Sequence, residues 1–169
     1  AGGSACRSSQ LCQSSQSCKA REMKTVLFWF RNDLRLHDQP ALAHATALAA
    51  QQGAALLPVF CHAPPATTRW GFERVGPHRQ AFLASTLACL SSALAARGSR
   101  LLECAGTALD MLPALAQALG GAGGGDSNCS TVCEAIAAPE EEAEVAALRA
   151  SGLQVHTVWQ SSLLHPDDL

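Results

Sequence analysis

The sequence has no tyrosine, few aromatic residues and no excess of basic charge. A formal net charge of −2 and a pI near 6.3 argue against a strongly basic nucleic-acid-binding domain. No apolar run reaches the roughly 18–20 residues that a membrane span requires, so a water-soluble protein is expected. The 169 residues suit one ordinary globular domain.

The eight cysteines do not show the C-x-x-C spacing of a zinc or redox site. Cys129 and Cys133 are close in sequence, but no second pair of Cys or His completes a tetrahedral metal site. Cys61, Cys89 and Cys104 lie inside apolar segments, which predicts that they act as small hydrophobic residues. We therefore expect free thiols in a reducing compartment, and no bound metal.

Residues 1–23 differ in composition from everything that follows. They are rich in Ser, Gln and Cys, and three basic residues precede the first acid, Glu22. A basic, Ser-rich and acid-poor leader resembles the tail of an organelle transit peptide, and plain disorder is the alternative. We expect residues 1–23 not to fold, with a chloroplast or a mitochondrion as the suspected destination.

From Thr25 onward, short apolar runs alternate with segments of helical periodicity. The runs predict strands buried on both faces, and the periodic segments predict amphipathic helices. In chain order, the predicted elements are a strand at 25–30, a helix at 39–52, a strand at 55–61, a helix at 77–97, a strand at 100–104, a helix at 109–119, a strand at 130–135, a helix at 139–150 and a strand at 154–159.

This alternation predicts an α/β, Rossmann-like domain: a five-stranded parallel sheet with helices on both faces. Right-handed crossovers and the order 3-2-1-4-5 leave a switch point between the first and fourth strands. Ligands in such folds bind outside the carboxyl ends of the strands, near that crevice. The relevant strand ends are residues 30–33, 60–62 and 134–135.

Three details of the helices also follow from the sequence. Asp38 is the predicted N-cap of the first helix. Phe82 has the spacing to join Leu83 and Leu87 on the apolar face of the second helix. Pro113 is predicted to confine the regular part of the third helix to the residues that follow it.

Two conspicuous runs have ordinary explanations. The glycine-rich run at 120–125 follows a helix and precedes a strand, the reverse of a phosphate-binding loop, which predicts a flexible linker. The acidic run at 140–144 lies in the first turns of the fourth helix, where carboxylates favour the positive end of the helix dipole. We expect a solvated helix start there rather than a catalytic carboxylate pair.

The segment 31–38 places a dense group of charged and polar side chains directly after a buried strand. Its composition permits either an anion-binding site or a structural salt-bridge network. The network is the preferred interpretation, because Arg–carboxylate pairs hold such loops in shape.

Several motifs occur in order along the chain. Residues 28–42 read FWFRNDLRLHDQPAL, residues 58–61 read PVFC, and residues 159–169 read WQSSLLHPDDL. Together with the loop and helix at 67–83, they resemble the motifs of the photolyase/cryptochrome family, most closely its DASH type. The usual opening is W-F-R-N-D-L-R-x-x-D-N-x-A-L and the usual closing signature is W-G-S-T-L-Y-H-x-D-D-L, so that Gln160 stands at a glycine position.

The resemblance covers residues 24–169 and implies an amino-terminal, antenna-side α/β domain. In several members this domain helps to hold an antenna pigment, often 5,10-methenyltetrahydrofolate, in a cleft facing a second, all-helical domain. The helical domain binds FAD and carries the DNA-facing cavity. DASH members resemble enzymes that repair cyclobutane pyrimidine dimers in single-stranded DNA by light-driven electron transfer, with the flavin supplying the redox chemistry.

The resemblance also implies partners and an absence of activity for these residues alone. The carboxy-terminal FAD-binding domain is the expected partner, and DNA is contacted only through the full-length parent. Residues 1–169 are expected to contain no catalytic residue, to bind no FAD and to be inactive by themselves, with no membrane involved.

The antenna cleft that the resemblance implies has four candidate binding residues: Asn32, Phe60, Cys61 and Glu134. DASH proteins commonly carry a glutamate in the loop after the fourth strand, and Ala137 stands at that position here. A buried charged hydrogen bond contributes roughly 1.5–3 kcal/mol, which is roughly 10- to 150-fold in affinity. We therefore expect folate binding in the usual manner to be weakened, with Glu134 as the substitute carboxylate.

Another class of function is open on the residues alone. A stand-alone Rossmann-like module could bind a nucleotide without photochemistry, similar in fold to universal-stress or electron-transfer-flavoprotein domains. A degenerate scaffold that binds nothing is a third interpretation, favoured by the alanine at position 137.

Overall fold

The computed structural model describes residues 24–67, 70–120 and 128–160. Each bound lies within two residues of its prediction. The predictions for residues 1–23, for the glycine run at 121–125 and for the closing motif at 161–169 lie outside the described residues. The elements are β1 (Thr25–Phe30), α1 (Pro40–Gln52), β2 (Ala55–His62), α2 (Pro77–Ala95), β3 (Leu102–Ala105), α3 (Ala108–Ala118), β4 (Cys129–Ala135), α4 (Pro139–Ala150) and β5 (Gln154–Trp159).

The five strands form one sheet in the order β3-β2-β1-β4-β5, and each neighbouring pair is parallel. The predicted fold class and strand order are confirmed. All six residues of β1 are buried, as expected for the central strand of a sheet covered on both faces. The carboxyl ends of β1 and β4 lie side by side at the switch point, where the strand order reverses.

Each face of the sheet has its own apolar core. Val26, Phe28 and Phe30 of β1 pack against α1 and α2. Leu27 and Trp29, which alternate with them, pack on the other face against α3 and α4. The period of two along β1 therefore divides the core into two layers. Within the described ranges, no helix combines the length and the apolarity needed to cross a membrane.

The start of α1 differs from its prediction, because Asp38 is not the N-cap. Gln39 occupies that position without a side-chain cap hydrogen bond, and Pro40 is the first helical residue. Asp38 instead has φ of 48°, in the left-handed region that Asp tolerates better than most residues. Asp38 therefore turns the chain into the helix rather than capping it.

α3 runs through Pro113 instead of beginning after it, so that prediction was wrong. Thr107 caps the helix: its Oγ1 accepts a hydrogen bond from the Asp110 backbone N–H at 3.3 Å and donates one to Asp110 Oδ2 at 2.6 Å. Because this cap satisfies the Asp110 backbone N–H at the helix start, the turn before the proline forms although Pro113 donates no hydrogen bond.

α2 buries a narrower stripe than predicted. Leu87, Leu90 and Leu94 are buried, whereas Phe82 is 70% exposed and Cys89 is exposed. At 100° per residue, Phe82 and Cys89 lie within about 20° of each other, and the leucine stripe is centred roughly 120° away from them. The predictions that Phe82 joins the core and that Cys89 acts as a buried hydrophobic residue were therefore wrong.

Candidate functional site

The carboxyl end of β4 holds the loop that follows β1. Glu134 is 7% exposed, and its Oε1 accepts hydrogen bonds from the backbone N–H groups of Asn32 at 2.5 Å and Asp33 at 3.0 Å. Its Oε2 accepts a hydrogen bond from Gln160 Nε2 at 3.1 Å. Three donors therefore compensate the cost of burying this carboxylate, and Glu134 is an anchor of the loop.

The loop itself is braced around Asp33. Arg35 donates from Nε to Asp33 Oδ1 at 2.9 Å and from Nη2 to Oδ2 at 2.8 Å, which forms a bidentate pair. The hydrogen bond from Arg35 holds the pKa of the Asp33 carboxyl below its usual range, although partial burial opposes that shift. Gln39 Nε2 donates to the Asp33 backbone oxygen at 2.9 Å. The predicted salt-bridge network in segment 31–38 is confirmed.

Gln160 joins this network from the end of β5. Its Nε2 also donates to Asp33 Oδ2 at 3.1 Å, and its Oε1 accepts a hydrogen bond from the Ala41 backbone N–H at 3.2 Å. One side chain thus contacts the β1 loop, Glu134 and the first turn of α1. The sequence signal was the glutamine at a position where the resembled family has glycine, but its contacts could not be predicted from that.

Arg31 connects the end of β1 to α4. Its side chain is only 4% exposed, and its guanidinium carbon lies 4.6 Å from the centre of the Trp29 ring. Nη2 is ion-paired with Glu141 and lies 3.5 Å from Glu144 Oε2. A cation over an aromatic face with two carboxylates around it is a stabilising arrangement for a buried Arg.

The acidic run at 140–144 is therefore not wholly solvated, and that expectation was wrong for two of its members. Glu141 and Glu144 turn towards Arg31 and are partly buried. Burial raises the pKa of the Glu144 carboxyl, although the neighbouring Arg31 opposes this. The pair neutralises Arg31 rather than forming a catalytic dyad.

Arg74 brings the loop before α2 to the same end of the sheet. Its Nη2 lies 3.7 Å from Glu140 Oε1 and 3.6 Å from Glu141 Oε1. Exposed pairs of this length contribute little energy, but they show that the loop reaches the start of α4. The same loop carries Trp70 and Phe72, which are 67% and 71% exposed.

The four predicted binding residues lie at the ends of three adjacent strands and differ in accessibility. Asn32 is exposed and Cys61 is half-buried. Phe60 is 7% exposed and packs in the core, with its ring centre 5.0 Å from that of His62. Glu134 is engaged as described above. Asn32 and Cys61 thus offer the more accessible side chains, and a role of all four in binding stays a prediction.

Ala137, the position where a pigment-holding glutamate was expected, is exposed in the loop between β4 and α4. Across the part of the chain that the structure describes, no group of three or more His, Cys, Asp or Glu side chains could hold a metal ion.

Comparison with protein families and curated proteins gives a consistent result. The family model for DNA photolyase matches residues 26–169. The chain is 34% identical to the cryptochrome DASH of Synechocystis sp. over 152 residues, which are 86% of this chain and 29% of that protein. It is 32% identical to the blue-light photoreceptor PHR2 of Arabidopsis thaliana, over 90% of this chain and 33% of the relative.

Two further comparisons agree with these. A protein of Arabidopsis thaliana named cryptochrome DASH, chloroplastic/mitochondrial, is 32% identical over 92% of this chain and 27% of its own length. The solved structure of a class III photolyase from Agrobacterium tumefaciens superposes with a TM-score of 0.68 at 28% identity, over 92% of this chain and 30% of that one. The chain spans about a third or less of each relative and matches the N-terminal part.

Proposed function

The chain belongs to the DNA photolyase family, and we propose that its residues 24–169 are the amino-terminal, antenna-side domain of a DASH-type cryptochrome. The similarity to cryptochrome DASH over 86% of the chain is the observation that carries this proposal. The parallel sheet in the order β3-β2-β1-β4-β5 and its agreement with a solved photolyase support the same domain assignment.

On this proposal the full-length protein is a blue-light flavoprotein that repairs cyclobutane pyrimidine dimers in single-stranded DNA. The flavin supplies the electron-transfer chemistry, and a separate helical domain holds it. The present residues then support that domain and shape the antenna cleft, and DNA is reached only through the full-length protein. The organelle destination of the full-length protein is proposed from the composition of residues 1–23, with the chloroplastic/mitochondrial relative as support.

The loop after β1 argues against the competing proposal of a stand-alone nucleotide-binding module. In dinucleotide-binding folds, backbone N–H groups at this loop and at the next helix start face a phosphate. Here the N–H groups of Asn32 and Asp33 donate to Glu134, and that of Ala41 donates to Gln160. An internal carboxylate and an internal amide thus take the acceptor positions that a phosphate would occupy. The residues present do not fit a nucleotide or a flavin bound in that manner.

The candidate antenna cleft also fits a methenyl folate poorly. The side chain of Ala137 has no group that could hydrogen-bond to a pterin, and the two carboxylate oxygens of Glu134 already accept three hydrogen bonds. We propose that this chain binds the pigment at least about 10-fold more weakly than a relative with the glutamate, because one charged hydrogen bond is missing.

The exposed aromatic side chains of Trp70, Phe72 and Phe82 are the surface that we propose for contact with the helical domain. Large exposed apolar side chains of this kind are enriched where proteins contact partners. The relatives are about three times as long as this chain, so they contain the additional polypeptide that such a contact requires.

A visible absorption spectrum of the purified chain tests the proposal that a separate domain holds the flavin. We expect no flavin absorbance and no dimer repair under blue light, with or without added FAD. Tight, stoichiometric flavin in the purified chain would contradict the proposal that a separate domain holds the cofactor.

The transcript beyond Leu169 tests the domain assignment independently. An in-frame helical domain supports the proposal, whereas a native stop codon directly after Leu169 contradicts it. The two experiments test different claims. The gene could encode a helical domain even if residues 24–169 held flavin, so a negative result in one experiment does not decide the other.

A further inference from the structure

Cys61 and Cys104 are direct neighbours across the sheet. They are register partners on the parallel strands β2 and β3. Adjacent strands lie about 4.8 Å apart, and disulfides join residues whose Cα atoms are roughly 4.4–6.8 Å apart. The backbone therefore holds the two residues at a separation that a disulfide can span.

Their side chains also point the same way. Both pack at the margin of the core layer formed with α3 and α4. Because register partners on adjacent parallel strands project to the same side of the sheet, the two thiol groups are neighbours. Both residues are half-buried, which leaves a route for a small oxidant. β3 is a four-residue edge strand with one neighbour, so it can adjust to a covalent bond at little cost.

We propose that Cys61 and Cys104 form a reversible disulfide when the protein meets a small-molecule disulfide of the glutathione class. A thiophilic metal ion is the less suitable ligand, since the described part of the chain offers no third Cys, His, Asp or Glu to complete a site around the pair.

The reaction divides between an attacking and a resolving cysteine. Cys104 attacks first, because the neighbouring Cys61 opposes the rise in pKa that burial causes at Cys104, whereas burial raises the pKa of Cys61 to about 12. The Cys104 thiolate attacks one sulfur of the oxidant, the S–S bond of the oxidant breaks, and one small thiolate leaves and takes up a proton. The product is a mixed disulfide on Cys104.

Cys61 then resolves the mixed disulfide. It loses its proton to solvent, and its thiolate attacks the sulfur of Cys104, which forms the Cys61–Cys104 bond and releases the second small thiol. The protein has lost two hydrogen atoms, and one small disulfide has become two thiols. Burial raises the pKa of Cys61 to about 12, so we expect this second step to be slow, on the order of hours.

The bond would covalently tie the sheet edge to β2. It would close the segment that contains α2 and the loop carrying Trp70 and Phe72, and it would change the chemistry of Cys61, one of the residues proposed for the antenna cleft. The oxidation state of the pair would thus alter the surface that we propose for contact with the helical domain.

Mass spectrometry of the full chain tests the proposal. The protein is equilibrated with oxidised glutathione, the remaining thiols are blocked with N-ethylmaleimide, and the chain is digested. We expect a peptide pair linked through Cys61 and Cys104, lost on treatment with dithiothreitol. Maleimide on both cysteines, or stable glutathione on Cys104 with maleimide on Cys61, would overturn the proposal.

Two variants provide the controls. Cys104→Ser should leave Cys61 unlinked, whereas Cys89→Ser, which removes an exposed thiol from α2, should leave the link intact. Oxidation should raise the melting temperature of the wild-type chain by about 5–15 °C through loop closure. An equal rise in Cys104→Ser would assign the effect to other cysteines and overturn the proposal. If Cys104→Ser fails to fold, the peptide map of the wild-type chain decides alone.

Discussion

Oε1 of Glu134 lies 2.5 Å from the backbone nitrogen of Asn32, across 102 positions of sequence. This contact joins β4 to the β1 loop at the switch point of the sheet, the place where an open α/β fold commonly binds its ligand. Glu134 supplies from inside the protein the negative charge that backbone N–H groups at such a loop favour.

Removing this carboxylate should destabilise the domain. Glu134→Ala leaves the part-buried N–H groups of Asn32 and Asp33 without their acceptor, and we expect the free energy of unfolding to fall by about 2–4 kcal/mol. Glu134→Gln retains an acceptor oxygen and should lose less. Urea unfolding measures both. Glu142→Ala, on the exposed side of α4, is the control and should change stability by no more than about 0.5 kcal/mol; a Glu134→Ala variant as stable as this control would contradict the anchoring role.

Two arginines of the same loop should differ sharply in their effect on stability. Arg31→Met removes the buried cation that pairs with the partly buried Glu141 and Glu144, and we expect the free energy of unfolding to fall by about 3–5 kcal/mol. Arg35, whose side chain is 56% exposed, pairs only with Asp33 at the surface, and Arg35→Met should cost about 1 kcal/mol or less. Thermal and urea unfolding of the two variants give the comparison. Equal losses would show that the burial of Arg31 is not what makes it important.

The free energy of unfolding should depend on pH in part through the ionisation of Glu144. Its pKa is raised in the folded protein, so its protonated form stabilises the fold at acid pH, and this contribution is lost as the pH rises through the folded pKa. Glu144→Gln cannot ionise at this position, so it does not lose stability in this way as the pH rises. The stability of Glu144→Gln relative to wild type should therefore improve as the pH rises from about 4 to about 7, measured by urea unfolding at each pH.

Glu142→Gln is the matched control for Glu144, since it removes a carboxylate from the exposed side of the same helix. The stability of Glu142→Gln relative to wild type should change less over the same pH range than that of Glu144→Gln. A relative stability of Glu144→Gln that stays constant or declines with rising pH would show that the ion pair with Arg31 outweighs burial.

Restoring the missing carboxylate should restore pigment affinity. We expect Ala137→Glu to bind 5,10-methenyltetrahydrofolate roughly 10- to 150-fold more tightly than wild type, the range for one charged hydrogen bond. Titration followed by pigment fluorescence gives the two dissociation constants. Ala143→Glu adds the same charge at an exposed position of α4 and should leave affinity unchanged. An equal gain in affinity in both variants would show that added negative charge, and not a hydrogen bond from position 137, causes the tighter binding.

The sheet was predictable because short strand-like runs alternate with helical segments, and the nearly all-apolar run Thr25–Phe30 suits a central parallel strand covered on both faces. Two errors at the starts of helices arose from local detail. Thr107 and Asp110 cap α3 and allow it to continue through Pro113, and the positive φ of Asp38 prevents that residue from capping α1. Spacing alone shows neither effect.

The candidate site was less predictable than the fold. The dense polarity of segment 31–38 indicated a network, but its partners lie on β4, α4 and the end of β5, about a hundred positions away. Glu141 and Glu144 look like a solvated helix start in the sequence, and only the buried guanidinium of Arg31 draws them inward. The sequence therefore indicated Arg31 as a member of a network, but only the fold shows that Glu141 and Glu144 are its partners.

The side chain of Gln160 has a mechanical consequence. Its three hydrogen bonds fasten the last described residue of the chain to the β1 loop, to Glu134 and to the start of α1. A pull on the polypeptide beyond β5 is therefore distributed over the centre of the domain before it reaches the β4–β5 ladder. With a glycine at position 160, only the β4–β5 hydrogen bonds would resist the pulling force, and β5 would detach at a lower force.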